Sequence, residues 1–378
     1  MKYKIVNGLV FQEDGFFKSE SVYMCDGKIV SKEAYLAASE TETLWDAAGG
    51  YVIPGLTDIH FHGCMGSDCC DGTAEAFRTI AEYELRQGVT SITPATMTMS
   101  EEVLSRICRC ARDYFHTDGA DLCGLYMEGP FISPAKKGAQ NEKYIRSADT
   151  EMLTRLQKIS GGMIRIVAIA PETKGAMDFI RQNSGSVRVS LAHTTADYDT
   201  AREALACGAS QLTHMYNAMM PFSHRAPGPI GAAADSRHCM VELICDGVHI
   251  HPAAVRTTFK IFGDDRIILI SDSMRATGLE DGQYDLGGQT VLVKGSLAVL
   301  EDGTIAGSAT NLMDCMRTAV RDMGIPLASA VKCAAVNPAK AIGLFDEYGS
   351  LTPGKYANVV VLNQDLELKM VFHHQGKV

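Results

Sequence analysis

The sequence has no run of 18 or more apolar residues, whereas a membrane-spanning helix needs about 20. Nor does it have a basic excess: 35 Lys and Arg against 45 Asp and Glu leave a formal net charge of −10. That balance argues against nucleic acid as a partner, because phosphate backbones are bound by basic faces. The opening residues, MKYKIVNGLVFQEDG, carry neither the apolar core nor the small-residue cleavage site of a signal peptide. The expected location is therefore the cytoplasm. Although there are 12 cysteines, no two of them form a C-x-x-C pair. Structural zinc sites usually use two such clips, so Cys64, Cys69 and Cys70 read as buried free thiols. Cys108 and Cys110 fall at i and i+2 of a helical pattern and face different ways. A Gly-rich phosphate fingerprint is also absent after the first buried strand, which removes the main signature of an open dinucleotide-binding sheet.

What remains is an ordinary globular composition, 46% hydrophobic and 21% charged, sufficient for a large core. The first 50 residues and the last 30 read as short alternating strands separated by turns such as EDG and CDG. Neither piece has enough strands to fold alone. Together they are expected to form one small β-sandwich domain, residues 1–51 with 346–378. Between them, apolar runs alternate with helical patterns. The runs are 51–60, 89–96, 122–129, 165–172, 187–194, 211–217, 239–246 and 266–273. Near-continuous apolar strands alternating with helices mark a parallel sheet covered on both faces. Eight such units predict an α/β fold, a (β/α)8 TIM-like barrel over residues 52–345. A further β excursion, YDLGGQTVLVKGSLAVLEDGTIAGS, follows the eighth strand.

In a barrel of this kind, chemistry sits at the C-terminal ends of the strands. Those ends carry His60 and His62 (strand one), Glu128 (three), His193 (five), His214 (six) and Asp272 (eight). One imidazole at a strand end is ordinarily a hydrogen-bonded core residue. Six such residues, at the one edge where they can converge, instead read as a metal cradle. Imidazole and carboxylate suit zinc or ferrous iron.

These residues lead to a resemblance. HFHG, with the Glu, His, His and Asp at the later strand ends, resembles the amidohydrolase superfamily. The longer motifs MEGPFISPAKKGAQN, THMYNAMMPFSHRAPGPIG, DGVHIHP and ISDSMRATG resemble its amino-sugar-phosphate deacetylases. The resemblance implies hydrolysis of the acetamide of N-acetyl-D-glucosamine 6-phosphate to D-glucosamine 6-phosphate and acetate. It implies one or two divalent metals, zinc or iron. Glu128, His193 and His214 would be ligands of the main metal, His60 and His62 ligands of a second position, and Asp272 the general acid/base. Asn217, the Ala218 backbone, Arg225 and His249 would hold the sugar phosphate, giving an acidic protein a local site for an anion. His224 and His251 read as solvated loop residues. Arg225 reaches a neighbouring subunit in some relatives, which implies a homodimer. One departure stands out. Relatives often carry His where this chain has Gln140, a substrate-contact candidate that can donate a hydrogen bond but cannot carry charge. Two other readings stay open at this stage: a dihydroorotase-, dipeptidase- or deaminase-like amidohydrolase, or a barrel scaffold without chemistry.

Overall fold

A computed structural model describes residues 2–115 and 118–377. Eight parallel strands form the barrel: β1 (Leu56–Asp58), β2 (Val89–Ile92, resuming at Ala95–Thr96), β3 (Asp121–Leu122, resuming at Leu125–Met127), β4 (Ile164–Ile169), β5 (Arg188–Leu191), β6 (Gln211–Leu212), β7 (Met240–Ile244) and β8 (Ile267–Ile270). Each pairs in parallel with the next in chain order. The ring closes beyond the strand ends, where the Asp272 N–H donates to the His60 carbonyl (3.0 Å) and the His62 N–H to that of Ser273 (2.7 Å).

Side chains alternate across each strand. On β4, Val167 and Ile169 join the large core shared with the helices, while Ile166 and Ala168 face an inner cluster with Tyr126, Ile268 and Ile270. Helices follow the strands as the pattern predicts. The first, Ala74–Arg86, is capped by Thr73, whose hydroxyl accepts from the Ala76 N–H, and it buries Phe77, Ile80, Ala81 and Leu85. That i, i+3, i+4 stripe is what an amphipathic helix lays on a sheet. Among the described residues, no helix is long and apolar enough to cross a membrane. All twelve cysteines are free.

The small β domain draws on both chain ends. Its mixed sheet comprises Lys2–Phe11, Phe17–Cys25, Lys28–Ile29, Glu42–Asp46, Tyr51–Pro54, Val359–Leu362, Leu368–His373 and Gly376–Lys377, and it has its own core around Ile5, Val22, Val52, Val359 and Phe372. The run read as one strand over 51–60 is in fact two. Tyr51–Pro54 pairs with Val359–Leu362 in the terminal sheet, and only Leu56–Asp58 enters the barrel. The switch occurs at Gly55, where a Cβ would stand 2.2 Å from Thr90 Oγ1. Only glycine lets the chain cross so close to β2.

The excursion after β8 is a three-stranded antiparallel sheet, Gly282–Leu286, Gln289–Lys294 and Leu297–Leu300. Leu286, Val291 and Ala298 pack it against Met97 and Met274, above the strand ends. It therefore walls the mouth of the barrel.

Candidate metal centre

His60, His193, His214 and Asp272 each lie two residues beyond a barrel strand, and Glu128 one residue beyond β3. His193 (φ 44°), His214 (φ 28°) and Asp272 (φ 49°) adopt left-handed backbone, a conformation that costs a non-glycine residue roughly 1–3 kcal/mol and collects at functional sites. The reversed backbone turns each side chain inward over the barrel mouth. All six residues are buried.

Glu128 is the hub. Its Oε1 lies 2.9 Å from His193 Nε2 and 3.1 Å from His214 Nε2. Its Oε2 lies 3.2 Å from His62 Nε2 and 3.7 Å from His60 Nε2. Two overlapping donor groups result, Glu128 with His193 and His214, and Glu128 with His60 and His62. Within each, the atoms lie within 4.8 Å of one another. Asp272 Oδ1 stands 3.4 Å from His62 Nε2 and 3.9 Å from His60 Nε2.

The far side of three of the four rings is anchored, while His214 Nδ1 has no hydrogen-bond partner among the described residues. His60 Nδ1 donates to Glu242 Oε2 (2.8 Å) and His193 Nδ1 to the Lys136 carbonyl (2.8 Å). His62 Nδ1 donates to the Ala95 carbonyl at 3.3 Å. An Nδ1–H held by an acceptor leaves Nε2 with its lone pair turned inward, the state of a metal-ligating imidazole. His60 Nε2 is buried without a hydrogen-bond partner among the described residues. Glu242 is itself fixed: it accepts from Gln211 Nε2 and from the His214 N–H, and Gln211 Oε1 accepts from Arg188 Nε at 2.6 Å.

Burial alone would raise the pKa of Glu128, but the four imidazoles outweigh it and hold the carboxyl well below its usual range. Burial likewise opposes charge on His62, yet Asp272 and Glu128 push its pKa up to about 10. So many buried ionisable groups need a shared counter-charge. A divalent cation, displacing protons from the imidazoles, supplies one. Fold and site together thus define a barrel metalloenzyme whose N- and O-donor set fits a divalent ion.

The sequence profile of the amidohydrolase family matches residues 51–377. The N-acetylglucosamine-6-phosphate deacetylase of Bacillus subtilis (strain 168) is 37% identical over 371 residues, covering 95% of this chain and 92% of the relative. The N-acetylgalactosamine-6-phosphate deacetylase of Escherichia coli O157:H7 is 35% identical, with 95% of each chain covered. The crystal structure of N-acetylglucosamine-6-phosphate deacetylase from Pasteurella multocida superimposes with a TM-score of 0.92 at 29% identity, over 99% of this chain and 98% of the other. The chain belongs to the amidohydrolase family.

The centre opens into a cavity of about 370 Å³, lined among others by Gln140, Asn217, Ala218, His249 and Asp272. That size suits a small-molecule site. Gln140 is buried; its Oε1 accepts from the Thr98 N–H (2.6 Å) and its Nε2 donates to Glu128 Oε2 (2.8 Å). His249 Nδ1 donates to Asp246 Oδ2 at 2.7 Å. Burial opposes charge on this ring, but Asp246 outweighs it and raises the pKa. Arg225 is not brought to the cavity. It is exposed on the loop after β6 and lines a separate depression with Asp197, Tyr198 and Pro221. His224 and His251 are exposed, and His251 Nδ1 accepts the Ala253 N–H at a helix start. Sequence reasoning missed Lys136 and Leu286, which line the cavity, and Glu242. The signal for Glu242 was present: a carboxylate inside the apolar strand MVELI must be paired if buried.

Proposed function

We infer that the protein hydrolyses the N-acetyl group of N-acetyl-D-glucosamine 6-phosphate, releasing acetate and D-glucosamine 6-phosphate, within amino-sugar catabolism. The observation that carries this is the convergence of Glu128, His193 and His214 in a cavity of sugar size, in a chain matched end to end by deacetylases of that substrate.

Glu128, His193 and His214 would hold the main divalent ion, zinc or iron, and His60 with His62 a second. When bound, such an ion supplies Lewis-acid polarisation of the acetyl carbonyl and lowers the pKa of water toward roughly 7. Asp272 accepts a proton from the attacking water and returns it to the amine nitrogen as the C–N bond breaks. Its carboxylate is suited to that role: burial raises its pKa, but His62 and the other imidazoles outweigh this and lower it, so it enters the reaction as a base. Gln140 holds Glu128 through its amide and lines the acetyl side of the cavity. Asn217, the Ala218 backbone and His249 hold the sugar phosphate, and the raised pKa of His249 favours an anion there.

Arg225 completes the phosphate site across a homodimer interface, where its planar fork would grip phosphate oxygens. Its exposure on a loop that also presents Met220 and Phe222 to solvent supports that reading. We place the enzyme in the cytoplasm, and we divide the chain into the β domain (1–51 with 346–378) and the barrel (52–345), on the strength of the separate core of the terminal sheet.

The test is acetate release from N-acetylglucosamine 6-phosphate, its galactosamine isomer and unphosphorylated N-acetylglucosamine, before and after chelation. Turnover should be fastest on the first, poor on the third, and lost on metal removal and regained on adding the metal back. Preference for the galactosamine isomer would reassign the substrate, and activity indifferent to chelation would end the metal reading.

A further inference from the structure

A second cluster of metal-binding side chains lies away from the barrel mouth. Asp121 begins β3, the strand that Glu128 follows, so the two carboxylates are separated by the length of a strand, roughly 20 Å. His373 closes the strand Leu368–His373, and His374 starts the turn after it. His374 Nε2 stands 2.9 and 3.0 Å from the two oxygens of Asp121, and His373 Nε2 stands 3.2 Å from Asp121 Oδ2. The three donors lie within 4.8 Å of one another.

We propose that Asp121, His373 and His374 form a second divalent-metal site, outside the catalytic centre, that clips the C-terminal hairpin to barrel strand β3.

Three observations carry the assignment. First, the His373 side chain is 1% exposed. Its Nε2 faces Asp121 but makes no hydrogen bond to any described residue. The 3.2 Å ion-pair contact with Asp121 lacks hydrogen-bond geometry, so the Nε2 lone pair stays open to a cation. Second, the imidazole–carboxylate separations of 2.9 to 3.2 Å lie slightly inside the roughly 3.3 Å expected of ligands about 2 Å from a tetrahedral zinc ion, so small outward shifts would admit one. Third, the rings are packed in place before any ion arrives: the two imidazoles lie tilted against each other with centroids 4.3 Å apart, and His374 lies tilted against Tyr356 at 4.4 Å. Two imidazoles and one carboxylate suit zinc and its neighbours in the first transition row better than calcium or magnesium. Three protein ligands leave a coordination position for water, and a small depression of about 30 Å³ beside His373 and His374 offers an entry path.

The ligands come from segments about 250 residues apart in sequence, so binding at this site stabilises the folded chain by mass action. Protein dialysed against zinc should hold one more equivalent per chain than the His374→Gln variant, and zinc should raise its melting temperature more. The two proteins should release acetate at the same rate. Equal zinc content in both overturns the proposal. Because the variant could fail to fold, unaltered crystals soaked in zinc chloride provide a second reading at the zinc absorption edge. An anomalous peak between Asp121, His373 and His374 is expected. Density confined to the Glu128 centre, or absent from Asp121, overturns the site.

Discussion

Asp272, like Glu128, faces both the paired imidazoles of the first strand end and the open cavity, but it is the carboxylate left outside the two donor groups. Asp272→Asn keeps the shape and removes the base. Metal content by elemental analysis should hold while kcat falls by about 10²–10⁴; activity near the original level would take Asp272 out of the proton path. Glu242 is different, since it is not among the residues lining that cavity and acts through His60 and the His214 backbone. Glu242→Gln weakens the acceptor that fixes His60. Metal affinity, read by competition with a chelator, should drop by roughly 10–100-fold, with the phosphate-dependent part of KM unchanged. The Glu128, His193, His214 and Asp272 positions were legible in the sequence because each falls just past an apolar run. Glu242 was missed, and the hold of Gln140 on Glu128 was not foreseen, because what matters in each is the partner it meets, and those partners are distant in the chain.

Among the elements, the helix Ala74–Arg86 contains a cost. Glu84 lies on its buried face beside Leu85 and Ala81, and neither carboxyl oxygen has a hydrogen-bond partner among the described residues. Burial drives its pKa well above the ordinary carboxylate range. In the unfolded chain the same group ionises near about pH 4.3. As pH rises past that point the unfolded state therefore gains by about 1.4 kcal/mol per pH unit, until the folded pKa is reached. Glu84→Gln removes this dependence. Thermal melts from about pH 5 to pH 8 should show the variant's advantage widening with pH, and parallel curves would mean that Glu84 finds a partner in solution. The helix itself was readable from its apolar spacing. The split of residues 51–60 between two sheets was not, since it depends on how closely Gly55 approaches Thr90.

At the scale of the whole molecule, the position of Arg225 bears on how subunits are arranged. It lies outside the cavity of its own chain, so a role in phosphate binding requires a second subunit. Arg225→Ala and Asp272→Asn should each be poorly active alone. Mixed and allowed to exchange subunits, they should recover activity, because a hybrid dimer pairs an intact Asp272 with an intact Arg225 from the other chain. Exchange without recovery would place Arg225 outside the phosphate site.

The amino-acid order by itself determined the repeating strand–helix pattern, the eightfold count, and the strand ends at which imidazole and carboxylate recur. These follow from local periodicity, which burial enforces along the chain. Only the tertiary structure decided that one carboxylate, Glu128, gathers four imidazoles. It likewise decided that Glu242 anchors His60, and that Asp121 meets His373 and His374 at the other end of β3. Such contacts join residues tens to hundreds of positions apart. They are set by closure of the ring and by the left-handed turns at its mouth, which no local pattern records.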